Sequence, residues 1–246
     1  MHLEDLACLR QLAYRLFSSI LLYPDEGRWK SIAAAAAELS KQTRLTARFA
    51  FYPQWRRLLT TLADLGGHSN LGEEYIRVFQ HNPGGAACLP YESVYVEPGR
   101  QAAGWVMALL EREYATAGLA LSPVLNEPPD HVAVELEFMA FLCSQEAEAW
   151  KIKAAEDATR ALKRQAVFLG RHLGLWFPAL AERVATADGE GVYSLVTGTA
   201  KAFIAHDQDL ASALLKTFQG VPEPAQAGSS QQRSSTKGPP GSRRAS

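Results

Sequence analysis

The sequence predicts an all-α fold, a single multi-helix bundle of about nine or ten helices. Three observations predict it. Apolar residues recur at helical spacing in one segment after another. Glycine and proline fall between those segments. No alternating strand pattern of useful length and no repeat at a fixed period interrupts them.

The elements follow in order. Leu3, Leu6, Leu9, Leu12, Leu16 and Ile20 form the first helical stripe, which Tyr23-Pro24 ends. The alanine block 33–37 carries a second helix on propensity alone. Trp55, Leu58, Leu59 and Leu62 mark a third that stops at Gly66-Gly67, and Leu71 to Phe79 reads as a short helix. A long loop rich in Gly and Pro, His81 to Pro98, follows. Arg100 to Ala117 is helical, with Trp105, Leu109 and Leu110 on one face and Gly118 as its stop. A second loop runs to Pro129. Asp130 then stands where an N-cap belongs, ahead of a long helix striped by Val132, Leu136, Met139 and Cys143. Asp157 to Leu173 (closed by Gly174), Leu175 to Ala187, Val192 to Ala205 and Asp209 to Phe218 complete the set.

The domain is expected over residues 1–220, with 221–246 as a disordered basic tail. That tail is Pro, Gly, Ser, Gln and Arg with almost no apolar residue, too little to offset its ordering entropy. Arg233, Lys237, Arg243 and Arg244 put four positive charges in it. The whole chain carries −1, so about −5 falls on residues 1–224. A mildly acidic body suits a basic ligand and argues against a nucleic-acid partner. Cys8, Cys88 and Cys143 are widely spaced with no CxxC pair, which reads as reduced thiols in a cytoplasmic protein. Glu4, Asp5, Arg10 and Arg15 interrupt the first stripe, so it makes a poor signal peptide. No run reaches the roughly 18–20 apolar residues of a span, so stable membrane insertion is not expected.

Chemistry-bearing motifs are missing. The six histidines stand without HxxxH spacing, Gly84-Gly85 lacks the lysine of a phosphate loop, and no GxSxG elbow is present. Neither catalysis, a resident cofactor nor a metal is expected. Glu135 and Glu137 diverge on the long helix and read as solvated charges.

The unusual residues lie in and beside the two long loops. Tyr75-Ile-Arg-Val-Phe79 leads to Leu89-Pro-Tyr-Glu-Ser-Val-Tyr95. Asn126-Glu-Pro-Pro-Asp-His131 then opens the long helix. Together they resemble the TorD/DmsD family of redox-enzyme maturation chaperones. That family pairs a Pro-aromatic-x-Ser-Val-aromatic turn, here Pro90 to Tyr95, with Glu-Pro-x-Asp-His, here Glu127 to His131. Phe168-Leu-Gly-Arg-His-Leu-Gly-Leu-Trp176, Tyr193 and Phe203-Ile-Ala-His-Asp207 are similar to its C-terminal helices, so the likeness covers roughly residues 6–217. Val78 stands where leucine is usual, and the loop carrying Gly84, Gly85 and Cys88 departs from the pattern.

The resemblance implies a cytoplasmic chaperone that binds the twin-arginine signal peptide of a molybdenum-cofactor oxidoreductase and assists cofactor loading before export. Its partner would be the apo catalytic subunit with its leader. A homodimer formed by helix exchange fits a connection as long as 80–98. The implied signal-peptide site is Tyr75, Phe79, Pro90, Tyr91, Glu92, Ser93, Tyr95, Glu127, Pro128, Asp130 and His131. Its chemistry suits such a ligand, because Glu92, Glu97, Glu127 and Asp130 offer carboxylates to guanidinium groups and the tyrosines and Phe79 offer rings. Each residue also has a plainer reading: Asp130 as a cap, His131 as a solvated or capping side chain, and Tyr75, Phe79 and Tyr95 as core. Glu92, beside Pro90 and Tyr91, is expected to have no core role. Two other functions stay open. One is a structural adaptor on the folded reductase subunit; the other is a guanine-nucleotide-linked helical protein.

Overall fold

The computed structural model describes residues 2–42, 46–65, 70–81, 88–96, 100–120 and 127–219. Gly66-Gly67, Gly84, Gly85, Glu97 and the tail 221–246 lie outside them. Ten α-helices and one π turn are present among the described residues, with no strand. They are α1 (Leu3–Ile20), α2 (Glu26–Ser40), α3 (Tyr52–Asp64), α4 (Leu71–Tyr75), α5 (Ser93–Val96), α6 (Arg100–Thr116), α7 (Val132–Lys151), α8 (Ala155–Arg171), α9 (Leu173–Asp188) and α10 (Val192–Gln219). The π turn, Ile76–Gln80, continues α4.

The stripes read from the sequence are the buried faces. Leu6, Leu9, Leu16 and Ile20 of α1 are buried, and α1 packs on α7 more extensively than any other pair among the described residues, while Leu12 at the edge of the stripe stays partly exposed. Asp25 caps α2 by accepting from the Arg28 amide at 2.8 Å, and Ile32, Ala36 and Leu39 face inward from its alanine-rich body. Trp55, Leu58, Leu59 and Leu62 do the same from α3, which pairs with α2. Gly118, at φ +81°, ends α6 as its sequence position predicts. The face assigned to α6 holds only in part, because Leu110 is buried and Trp105 projects into solvent.

The expected loop 81–98 contains the short helix α5, the short helix expected over 71–79 ends in the π turn, and two further differences have a clear physical reason. Val192 to Phe218 is not two helices but one, α10. The polar stretch at 206–209 reads as an end, yet Asp207 is an interior residue whose carboxylate is taken up by Arg10 and, at 2.6 Å, by the Tyr14 hydroxyl. Gly174 does not close α8 but lies in the first turn of α9, where an added Cβ would stand 2.5 Å from the Leu169 carbonyl oxygen. Only glycine permits the sharp α8–α9 corner at His172.

Arg10 anchors a second buried feature. Its guanidinium meets Asp207 and Gln165, and Glu146 at 2.6 Å, so α1, α7, α8 and α10 are joined through one charge cluster. All four side chains are buried.

Candidate functional site

The two proline-stiffened loops meet. Tyr91 and His131 form an isolated antiparallel bridge, in which the Glu92 amide donates to the Asp130 carbonyl at 2.9 Å. The Val132 amide donates to the Pro90 carbonyl at 2.8 Å. Proline suits the position, since Pro90 contributes only its carbonyl and has no amide to leave unpaired. The first loop is also pinned to the π turn by Cys88 N–H on the Val78 carbonyl at 3.0 Å, and the second to α6 by the Tyr114 hydroxyl on the Pro129 carbonyl at 2.9 Å.

Side chains then divide into an inner and an outer set. Glu92 is 2% exposed and faces His172, whose Nδ1 is 2.9 Å from its carboxylate. This corrects the expectation of a carboxylate with no core role, because Glu92 ties the first loop to the α8–α9 corner. Asp130 is buried too and accepts from the Ser93 hydroxyl at 2.6 Å. It is not the N-cap of α7. His131 has the extended backbone of a cap, and its Nδ1 accepts from the Ala133 amide at 3.1 Å. Burial pushes the His131 imidazole down to about 4, which keeps the neutral form that this acceptor role requires. Tyr75 and Phe79 are buried in an aromatic cluster with Tyr193, the Phe79 and Tyr193 centroids lying 5.1 Å apart. Tyr95 is half-buried between Trp176 and the Arg183 guanidinium, which sits 4.6 Å over its ring.

The outer set is smaller. Tyr91 is half-buried, edge-on to His131 with centroids 5.3 Å apart. Glu127 is 27% exposed, with its carboxylate 3.8 Å from His131 Nε2. Partial burial pushes the Glu127 carboxyl upward and Arg28 of α2 opposes the shift. Pro128 is half-buried, Leu89 beside Pro90 is exposed, and so is Tyr23, whose ring centroid lies 5.6 Å from that of Tyr75.

Two inner residues went unassigned by sequence reasoning. His172 lies within the segment 168–176 but has no motif spacing of its own. Glu135, read as a solvated charge, is fully buried and accepts from the Trp176 indole at 3.1 Å, whereas Glu137 is exposed. Among the described residues, no group of three or more His, Cys, Asp or Glu is placed to hold a metal, and no helix is long and apolar enough to cross a membrane.

The family model described as nitrate reductase delta subunit matches residues 34–182. The chain belongs to this TorD-like family of redox-enzyme maturation proteins. Within the family, it is 36% identical to the chaperone protein TorD of Vibrio cholerae over 131 residues, 53% of this chain and 57% of that protein. It is 31% identical to the selenate reductase assembly chaperone protein of Thauera selenatis over 175 residues, covering 71% and 76%. With the chlorate reductase assembly chaperone protein of Ideonella dechloratans it shares 34% over 143 residues, covering 56% and 72%. The match to TorD thus spans little more than half of that relative's length. A solved structure of a candidate redox enzyme maturation protein from Archaeoglobus fulgidus aligns with 79% of this chain and 93% of its own, at 20% identity and a TM-score of 0.48.

Proposed function

We propose that this protein is a cytoplasmic chaperone for a molybdenum-containing oxidoreductase, holding the twin-arginine leader of the apo catalytic subunit while its cofactor is inserted. The observation that carries the reading is the joined pair of loops, with Glu127 and Tyr91 at its accessible edge. A leader presents two guanidinium groups and then an apolar stretch, so its receptor needs an accessible carboxylate, rings and apolar surface. Family membership and relatives named as assembly chaperones support the same reading.

Within this proposal the eleven residues divide by what their side chains already hold. Glu127, Tyr91 and Pro128 contact the leader. Pro90, Glu92, Ser93, Asp130 and His131 hold the junction in shape, Tyr75 and Phe79 support it from the core, and Tyr95 supports it from the α9 side. Leader binding lowers the concentration of free leader by mass action, which delays export.

Affinity purification from the native cytoplasm tests the assignment. A molybdenum-containing reductase subunit should copurify, and the complex should be lost when the leader is deleted from that subunit. Survival of the complex without the leader favours the adaptor reading. Absence of any reductase subunit contradicts both.

A further inference from the structure

Behind the loop junction lies more buried acid than the junction needs. Glu92 of the first loop, Asp130 of the second and Glu135 of α7 all converge there, each buried. Asp130 is met by Ser93 and Glu92 by His172. Glu135 receives the Trp176 indole on Oε2, no donor reaches its buried Oε1, and its carboxyl is within hydrogen-bonding reach of Glu92. The Glu92 carboxylate is its neighbour, and Tyr114 of α6 also stands within its field. Burial first, then the charges of Glu92 and Asp130, push the Glu135 carboxyl well above the usual range, against the opposing pull of the Trp176 bond.

We infer that Glu135 is a positioning residue for the leader-binding junction: its neutral carboxyl lets Glu92 sit against α7, and ionising it forces the first loop away from the second. The leader half of this inference rests on the function proposed above, whereas the mechanical half does not. Two buried carboxylates side by side repel strongly, and the strain falls on the first loop, which two backbone bonds and the Ser93–Asp130 bond hold to the second. Folding raises this pKa above its ordinary value of 4.5, so the stabilisation is complete below that value. It is lost as pH climbs toward the folded-state pKa.

Hydrogen exchange of the full chain tests this, read at the Glu92 and Val132 amides that cross the junction. From about pH 5 upward, the ratio of wild-type to Glu135→Gln protection should fall as pH climbs, by at most about tenfold per pH unit for one proton. The glutamine keeps the bond to Trp176 and cannot ionise, and the ratio cancels every group that the two proteins share. A ratio that stays constant overturns the inference. Should the variant fail to fold, wild-type protection at these amides relative to those of α10 must still fall with pH, and a flat profile overturns the inference equally. Affinity for a synthetic twin-arginine peptide should follow the same profile. If exchange behaves as expected but no peptide binds at any pH, the leader-binding reading fails and the role of Glu135 in holding the loops stands.

Discussion

His172 Nδ1 lies 2.9 Å from the Glu92 carboxylate, both residues buried, and this contact fastens the first loop to the α8–α9 corner. Removing the imidazole strands a carboxylate in the interior. His172→Ala should lower stability by about 3–5 kcal/mol in urea unfolding. The pair Glu92→Gln with His172→Ala should recover part of that loss. A loss in the double variant equal to the sum of the single losses would show that the two residues do not act together.

Acid should loosen the junction through His131. Folding depresses its pKa from 6.5 to about 4, so its stabilisation is present above 6.5 and lost as pH falls toward 4. The full effect is worth up to about 3 kcal/mol, at about 1.36 kcal/mol per pH unit. His131→Asn keeps a cap and cannot titrate. It should flatten the pH dependence of the melting temperature in this window, while the wild type falls.

Asp130 should act through Ser93 rather than through the helix. Ser93→Ala removes the 2.6 Å hydroxyl bond and leaves the buried carboxylate short of a donor, at a cost of about 1–3 kcal/mol. Asp130→Asn should leave the start of α7 intact, because His131 caps it. Amide exchange at Ala133 checks this point. Increased exchange there would return the cap to Asp130.

Arg10 should matter for the body of the protein and not for its ligand. Arg10→Met leaves Glu146 and Asp207 buried together without their cation, a loss of about 3–5 kcal/mol by denaturant unfolding. Peptide affinity of the folded fraction should stay within about twofold of the wild type.

The helical fold was legible in the sequence because periodicity and burial coincide, as Leu58, Leu59 and Leu62 show. Asp207 misled because helix ends and buried polar partners use the same residue types, and Arg10 is nearly two hundred positions away. Of the candidate site, the two loops were visible as motifs, and their meeting is a tertiary fact carried by the Val132–Pro90 and Glu92–Asp130 bonds. Glu92, beside Pro90 and Tyr91, looks solvated in sequence, since nothing local reveals His172 from α8–α9 beneath it. Glu135 misled likewise. An acid on a long helix usually faces water, and its neighbours Glu92 and Trp176 come from distant segments.

In the function proposed above, the accessible edge of the joined loops reads paired guanidinium groups through Glu127. Calorimetric titration of a twin-arginine leader peptide tests it most directly, using the wild type, Glu127→Gln and a peptide with both arginines changed to lysine. Saturable binding is expected, weaker by about tenfold or more for the lysine peptide and for Glu127→Gln with native melting temperature. Equal affinity for both peptides, or an unchanged affinity in Glu127→Gln, would contradict it.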